Sequence, residues 1–270
     1  MTPNKEHMVE TRRLGGSDLD LTIVGLGTWV FGGRWGGAED ADSLAACHAA
    51  VDAGINWIDT ADVYGQHRAE RIVGRFLKER AEDVIVATKC GVAWETDPAF
   101  RIWRDASGDY IRSAVDRNLE ALGIDTIDLF QVHWPVTAAT AEETMGAMLD
   151  LQRAGKIRHS GGSNYATSDL EAAWDVTPFV GFQVGYHIMR RQIERSELPW
   201  CADHGGGARA YGPLAHGLLT GKMDASTTFP ENDWRAASEF FTDEAWPERV
   251  EVTRGLARIA EEGGRPGGVA

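Results

Sequence analysis

The sequence has few cysteines, and its acidic residues outnumber its basic ones. Three cysteines occur in 270 residues, at Cys47, Cys90 and Cys201, with no Cys-x-x-Cys pair and no metal-ligand spacing to histidine. This argues against a disulfide framework, predicts no metal site and favours a reducing, cytoplasmic location. The formal net charge of −14 argues against a nucleic-acid-binding surface, because phosphate binding needs clustered lysine and arginine.

Long apolar runs are also missing. Residues 1–10 are polar, and no apolar run approaches the length of a membrane span, so we expect a soluble intracellular protein without a membrane partner. The composition, with 43% apolar residues, is enough for a sizeable core. A single (β/α) barrel and a pair of small domains are both common solutions for a chain of this length.

Strand and helix patterns alternate along most of the chain. Residues 12–21 alternate in polarity around a Gly-Gly-Ser-Asp turn signal, which predicts an N-terminal β-hairpin. Strands are then predicted at 23–27, 57–58, 84–88, 127–132, 156–162, 180–184 and 208–211. Helices are predicted at about 39–53, 68–80, 109–122, 141–154, 168–174, 193–204 and 248–262. This alternation is typical of a parallel sheet covered by helices.

Four chemically reactive side chains follow three successive predicted strands. Asp59 and Tyr64 come after the apolar pair Trp57-Ile58, Lys89 ends the next strand, and His133 ends the one after it. The carboxyl ends of parallel strands are where α/β proteins place their chemistry. Taken singly, each side chain also fits a structural role: a turn cap, a half-buried loop tyrosine, a solvated lysine and a structural histidine.

With these residues in place, the sequence resembles the aldo-keto reductase superfamily, in particular its bacterial general-stress-type members. The resemblance rests on Asp-Thr-Ala-Asp-Val-Tyr-Gly at 59–65, Thr-Lys-Cys-Gly at 88–91 and Val-His-Trp-Pro at 132–135. It implies a TIM-type (β/α)8 barrel whose N-terminal end is plugged by the hairpin. It further implies a single domain over residues 1–270 that lacks the family's eighth β/α unit at its C-terminal end.

The resemblance also implies a reaction. Asp59, Tyr64, Lys89 and His133 match the family's catalytic tetrad, which reduces aldehydes and ketones to alcohols with NADPH. Tyr64 is the implied general acid, and Lys89 beside it would lower the pKa of the phenol, since a neighbouring ammonium favours the phenolate. Asp59 would hold Lys89, and His133 would orient the carbonyl group of the small-molecule substrate.

No G-x-G-x-x-G sequence opens a helix after a strand, so the dinucleotide-binding fingerprint of Rossmann folds is missing. The cofactor residues are instead implied by the same family resemblance. The residues implied near the nicotinamide are Gly27, Thr28, Trp29, Asp59, Ser163, Asn164, Gln183 and Tyr211, of which Trp29 also fits a substrate-pocket wall or the core. The segment 211–222 matches the family's pyrophosphate-covering loop, with implied contacts from Gly212, Pro213, Leu214, Gly217, Leu218 and Lys222. NADPH is implied by the resemblance alone, since the pocket for its 2′-phosphate belongs to the missing unit.

Some features depart from the family pattern. Ser160 and Gly162 in the fifth strand, and Gly206, Gly207 and Arg209 in the seventh, stand where relatives have apolar residues. Glycine weakens a strand, and a buried arginine needs a partner or a route to solvent. An open barrel also leaves two sheet edges. Cover by the segment 215–246, pairing with a second subunit, and truncation from a longer parent chain are all consistent with these edges.

Two other functions stay open at this point. The first is a catalytically weak nicotinamide-binding regulatory protein, like the channel β-subunits that share this fold, which would bind the cofactor without turnover. The second is a different barrel enzyme, such as an isomerase, which would bind no nicotinamide. The long segment after Lys89, with Trp94, Phe100 and Trp103, predicts a substrate wall or a surface cover.

Overall fold

The computed structural model describes residues 9–35, 39–80, 83–96 and 101–264. Two compact units are present: the first lies within Met1–Gly33, Ala38–Val184 and Gln192–Arg209, and the second within Arg34–Gly37, Gly185–Arg191 and Ala210–Ala270. The single-domain assignment stays a prediction.

A parallel sheet forms the centre of the fold, as the strand and helix alternation predicts. Its strands, listed in their order across the sheet, are β3 (Leu26–Gly27), β4 (Trp57–Asp59), β5 (Ile85–Cys90), β8 (Ile127–Val132), β9 (Ile157–Ser163), β10 (Gly181–Gly185) and β11 (Gly207–Tyr211). The register is parallel through the pairs from β3 to β10. The TIM-type α/β fold is confirmed, with seven barrel strands in the part of the chain that the structure describes.

Helices separate the consecutive strands of this sheet and follow its last strand. They are α1 to α8, spanning Asp40–Asp52, Arg68–Glu79, Gly108–Leu122, Ala141–Arg153, Thr167–Val176, Glu197–His204, Glu239–Thr242 and Trp246–Glu262. Their ends carry the expected caps: the Ser107 side chain accepts a hydrogen bond from Tyr110 N before α3, and Thr140 accepts one from Glu143 N before α4. Gly123 ends α3 in the left-handed conformation.

The N-terminal hairpin is fixed to the start of the barrel strands. Its strands, β1 (Thr11–Arg13) and β2 (Asp20–Thr22), pair antiparallel, and its leucines pack with Trp57, Ala87 and Leu129 in one buried cluster. The indole of Trp57 donates to Thr22 O over 2.9 Å. Only glycine fits at Gly15, where φ is 52° and a Cβ would lie 2.7 Å from Val180 O. The predicted plug is therefore present.

The segment after Lys89 contains a second hairpin that the sequence reading treated as a loop. Its strands are β6 (Val92–Glu95) and β7 (Arg101–Arg104), which pair antiparallel with Trp94 opposite Ile102. The alternation Arg-Ile-Trp-Arg at 101–104 is the signal that could have predicted β7. Phe100, named above with this segment, lies outside the described residues.

The predicted sixth helix, 193–204, was wrong as one element. A 3₁₀ turn covers Gln192–Arg195, and α6 starts afresh at Glu197. Pro199 explains the break, because proline lacks an N–H and its ring clashes with the preceding turn of a helix. In the first turn of α6 this missing N–H has no cost.

The second unit has its own apolar core. Ala215, Leu218, Phe241, Trp246 and Val250 are buried together, with Phe229 and Trp234 among the side chains packed against them. Part of the segment 215–246 therefore folds on the last helix, α8. Over the described ranges, no helix is both long and apolar enough to cross a membrane.

Candidate active site

The carboxyl ends of β4 and β5 hold a buried ion pair. Lys89 Nζ donates to Asp59 Oδ2 over 2.7 Å and to Thr60 O over 2.8 Å. The two residues lie on adjacent parallel strands, with Asp59 opposite Ala87 in the register, so Lys89 lies two residues further along β5. Lys89 is 1% exposed. A lysine with so little access to water keeps its proton only where an anion and carbonyl oxygens accept from it, and both do here.

Tyr64 and His133 lie beside this pair. Lys89 Nζ is 5.2 Å from the centroid of the Tyr64 ring, and the Tyr64 and His133 rings meet edge to face with centroids 5.8 Å apart. The structure thus brings the four predicted tetrad residues together. Two glycines allow the turn that carries Tyr64, because a Cβ at Gly32 would lie 2.9 Å from Gly65 N.

The electrostatic environment lowers the pKa of two of these residues. Burial lowers the pKa of Lys89 and Arg209 lowers it further, while Asp59 opposes both effects. Desolvation holds the pKa of His133 well below its ordinary value, and the positive charges of Lys89 and Arg104 act in the same direction. His133 is therefore a neutral imidazole at neutral pH, able to bind a substrate oxygen without carrying charge.

Asp59 has two further partners, on its other oxygen. Gln183 Nε2 donates to Asp59 Oδ1 over 2.8 Å, and Arg209 Nη1 lies 3.7 Å from the same oxygen. The family resemblance implies Gln183 only as a cofactor residue, and Arg209 departs from the apolar pattern of its strand. Side chains alternate along β11, so Arg209 shares a face of the strand with Tyr211. This alternation is the sequence signal that indicates a buried position for Arg209.

The remaining cofactor candidates of the first unit surround the same strand ends. Thr28 Oγ1 donates to Asp59 O over 3.0 Å. Asn164 Nδ2 donates to His133 O over 3.0 Å and to Ser163 Oγ over 3.1 Å. Asn164 adopts φ of 60°, which asparagine tolerates better than most residues. These amide hydrogen bonds fix the position of Asn164 against the backbone of His133.

Open space lies next to the ion pair. Gly27 is opposite Asp59 in the register of β3 and β4, and a Cβ at Gly27 would meet no atom within 4 Å. Trp29 stacks on Tyr64 with ring centroids 6.4 Å apart. An uncrowded strand end with aromatic and amide groups near it fits a flat polar ring such as a nicotinamide.

The second unit holds the other cofactor candidates, in a tight turn after Tyr211. Gly212, Gly217 and Gly221 have φ of 64°, 102° and 74°, and Gly217 N donates to Leu214 O over 3.0 Å. Leu218 is buried, whereas Leu214 is 45% exposed. Glycines with left-handed backbone let amide groups approach a phosphate closely, so this turn fits a pyrophosphate. Pro213 and Lys222 flank its 3₁₀ helix, Ala215–Thr220.

The comparison with protein families decides the identity of the fold. Residues 23–267 match the model of the Aldo/keto reductase family. The chain belongs to this family. In the described ranges no group of three or more His, Cys, Asp and Glu side chains is arranged to hold a metal ion.

Individual relatives of the aldo/keto reductase chain agree with this assignment. Aldo-keto reductase YhdN of Bacillus subtilis (strain 168) is 36% identical over 256 residues, which are 94% of this chain and 76% of the relative. The NADH-specific methylglyoxal reductase of Escherichia coli (strain K12) is 36% identical over 227 residues, or 78% of this chain and 69% of the relative.

A solved structure gives the same result. The glycerol dehydrogenase AKR11B4 of Gluconobacter oxydans superposes with a TM-score of 0.87 at 37% identity, covering 96% of this chain and 80% of that one. The chain is an NAD(P)H-dependent oxidoreductase of the aldo/keto reductase family, acting on small carbonyl substrates.

Proposed function

We propose that this chain reduces aldehydes or ketones to alcohols with NADPH as the reductant and Tyr64 as the general acid. The observation that carries the proposal is the buried Lys89, held by Asp59 over 2.7 Å, with its Nζ 5.2 Å from the centroid of the Tyr64 ring. An ammonium in this position favours the phenolate, which makes a tyrosine a better proton donor at neutral pH.

The residues divide the work of a balanced reduction. The carbonyl carbon would receive a hydride from a nicotinamide bound at this site, which would be oxidised in turn. Tyr64 gives its phenolic proton to the carbonyl oxygen, so that the C=O double bond becomes an alcohol, and Tyr64 then recovers a proton from water. His133, as a neutral imidazole, orients the carbonyl oxygen. The positive charge of Lys89 stabilises the phenolate that Tyr64 becomes after it has donated its proton.

Asp59 keeps this arrangement charged and in place. Burial lowers the pKa of Lys89, and the Asp59 carboxylate is the largest opposing effect. Without the carboxylate, the ammonium would lose its proton more easily and would also be free to turn away from Tyr64. Asp59 therefore acts through Lys89, while Tyr64 and His133 contact the substrate.

The cofactor assignments are proposed unit by unit. In the first unit we assign Gly27, Thr28, Trp29, Ser163, Asn164 and Gln183, with Asp59, to the nicotinamide end. In the second unit we assign stacking to Tyr211, and pyrophosphate binding to Gly212, Pro213, Leu214, Gly217, Leu218 and Lys222. NADPH is proposed on the family resemblance, and the NADH-specific name of the E. coli relative makes the choice of dinucleotide the first point to test.

Titration of the protein with NADPH and, separately, with NADH tests this proposal through tryptophan fluorescence. With 10 tryptophans in the chain, quenching on cofactor binding is expected. We expect saturable binding of both, about tenfold tighter for NADPH, a difference of about 1.4 kcal/mol. The Trp29→Phe variant should lose part of the quenching. The matched variant Trp174→Phe should retain that part, because Trp174 packs on Phe179 and Trp200.

The other outcomes are equally informative. Tighter binding of NADH would contradict the choice of NADPH and leave the reduction itself intact. Absence of binding to both would contradict the proposed function. Saturable binding without turnover of any aldehyde in a panel of small aldehydes would indicate the nicotinamide-binding regulatory protein instead.

A further inference from the structure

A buried arginine lies close to the ion pair of the active site. Arg209, in β11, is 7% exposed. Its Nη2 donates to Gln131 Oε1, its Nη1 is 3.7 Å from Asp59 Oδ1, and its guanidinium carbon is 5.6 Å from the centroid of the Trp57 ring. Among the described residues, its Nε and Nη1 have no hydrogen-bond partner. The nearest anion to this charge is therefore the carboxylate that also holds Lys89.

Glycines on the neighbouring strands provide the space for this guanidinium. A Cβ at Gly181 would lie 3.6 Å from Arg209 Nη2 and 3.2 Å from the Leu14 side chain. A Cβ at Gly161 would lie 2.7 Å from Gly181 O and 3.1 Å from the Cγ of Gln131, the residue that accepts from Arg209. Larger residues at these two positions would therefore crowd the interior that Arg209 and Gln131 fill.

The arrangement gives one carboxylate two cations. Asp59 Oδ2 accepts from Lys89, while Oδ1 faces Arg209 and accepts from Gln183. A buried positive charge is unfavourable unless it is paired, and the carboxylate nearest to Arg209 already accepts a hydrogen bond from Lys89. Because both cations interact with the same anion, each weakens the hold of that anion on the other.

We propose that Arg209 is a positioning residue for catalysis: it places a second positive charge beside Oδ1 of Asp59, leaves Oδ2 to Lys89, and limits how strongly the carboxylate stabilises the Lys89 ammonium. This inference rests on the proposed function of the tetrad. Arg209 itself touches neither substrate nor cofactor in this role. It sets the pH range in which Lys89 remains an ammonium beside Tyr64.

The sign of the effect follows from the charges that face Lys89. Asp59, from β4, and Asp62, from the turn after β4, favour the ammonium, whereas burial and Arg209, from β11, oppose it. Tyr64 from the same turn and His133 from the end of β8 complete this environment, and His133 is neutral because its pKa is lowered. Removal of the Arg209 charge should therefore raise the pKa of Lys89.

A direct measurement uses the protein without cofactor or substrate. The sequence has five lysines, so the ε-carbon signals of ¹³C-labelled lysine can be followed by NMR against pH, with Lys89→Met to assign the signal of Lys89. In Arg209→Met we expect the midpoint of Lys89 to rise by about half a pH unit or more, equivalent to about threefold or more in the proton-binding constant. In Arg209→Lys, which keeps the charge, we expect it to stay near the wild-type value.

The kinetic counterpart is the pH dependence of kcat for aldehyde reduction at saturating NADPH. The alkaline limb of this profile should move to higher pH in Arg209→Met and lie at its wild-type pH in Arg209→Lys, because it reports the coupled titration of Lys89 and Tyr64. The KM for the aldehyde should stay nearly constant. Arg158→Met is the matched control, since Arg158 pairs with Asp18 and Asp128 away from the tetrad. A general loss of folding would lower kcat at every pH in all Arg209 variants and would leave the pH of the alkaline limb unchanged.

The outcomes distinguish this inference from the proposed function. Equal Lys89 midpoints in wild type and Arg209→Met would overturn the inference, whatever the enzyme does to aldehydes. A shifted midpoint with no turnover in the wild type would retain the electrostatic role of Arg209 and overturn the proposed reaction. Should Arg209→Met not fold, Gln131→Met, which removes the acceptor of Nη2 but keeps the charge, provides the second test. It should change the Lys89 midpoint measurably, and an unchanged midpoint would count against the positioning role.

Discussion

Replacement of Tyr64 by phenylalanine is expected to lower the turnover of an aldehyde by about two to four orders of magnitude, the usual contribution of a general acid. The variant keeps the aromatic ring that stacks on Trp29 and meets His133, and loses only the hydroxyl. Cofactor affinity should therefore stay within about twofold of wild type. Steady-state kinetics and the fluorescence titration measure the two quantities on the same protein.

Tyr110→Phe is the control for this experiment. The Tyr110 hydroxyl donates to Val92 O over 3.4 Å, outside the tetrad, so its loss should leave turnover nearly unchanged. Equal turnover of Tyr64→Phe and wild type would remove Tyr64 from its role as general acid. A parallel loss of cofactor affinity would point instead to a damaged binding site.

Replacement of Lys89 by methionine has the second-largest expected effect. Turnover should fall by about a hundredfold or more, because no cation then favours the Tyr64 phenolate. Breaking a buried ion pair commonly costs about 3–5 kcal/mol of stability. We expect a smaller loss here, because Arg209 remains 3.7 Å from Asp59 and Gln183 still donates to it. Urea denaturation of the variant and of wild type measures this difference.

Lys78, an exposed lysine of α2, provides the control variant for Lys89→Met. Lys78→Met should change neither turnover nor stability appreciably, since surface charges contribute little. Wild-type turnover in Lys89→Met would show that the ammonium does not assist Tyr64. A full loss of 3–5 kcal/mol would show that Arg209 does not compensate the Asp59 charge.

The sequence alone predicts the later strands of the parallel sheet and the meeting of the four tetrad side chains. Apolar runs end at Asp59, Lys89 and His133, and parallel strands of this kind place their carboxyl ends at one edge of a sheet. The register then brings Lys89 to Asp59, and the Asp59–Lys89 contact follows from neighbouring strands alone. At these positions the local apolar pattern and the parallel topology indicate the same arrangement, so the sequence is enough to predict the Asp59–Lys89 contact.

The partners of Arg209 could not be predicted from the sequence. Alternation along β11 indicates that its side chain shares a face with Tyr211, but its partners Asp59, Gln131 and Trp57 belong to strands far away in sequence. From the sequence alone, Gly162 of β9 and Gly207 of β11 look like weak points of their strands. Their meaning depends on which side chain fills the space above them, and only the packed structure supplies that.

Two local elements were missed for different reasons. The hairpin of β6 and β7 was hidden because length and aromatic content favoured a loop, although 101–104 alternates as a strand does. The apolar spacing at 193–204 fits one continuous helix and conceals the break before α6, although Pro199 disfavours a helical turn before it. Both errors concern how a segment is divided, and neither displaces a tetrad residue.

The most direct test of the central claim follows one atom. The wild-type protein is incubated with a small aldehyde and NADPH that carries deuterium at its transferable position, and the alcohol is analysed by mass spectrometry. We predict one deuterium on the carbinol carbon with wild type, and almost none over the same time with Tyr64→Phe. Absence of the labelled alcohol with wild type, or equal labelling by both proteins, would contradict the account.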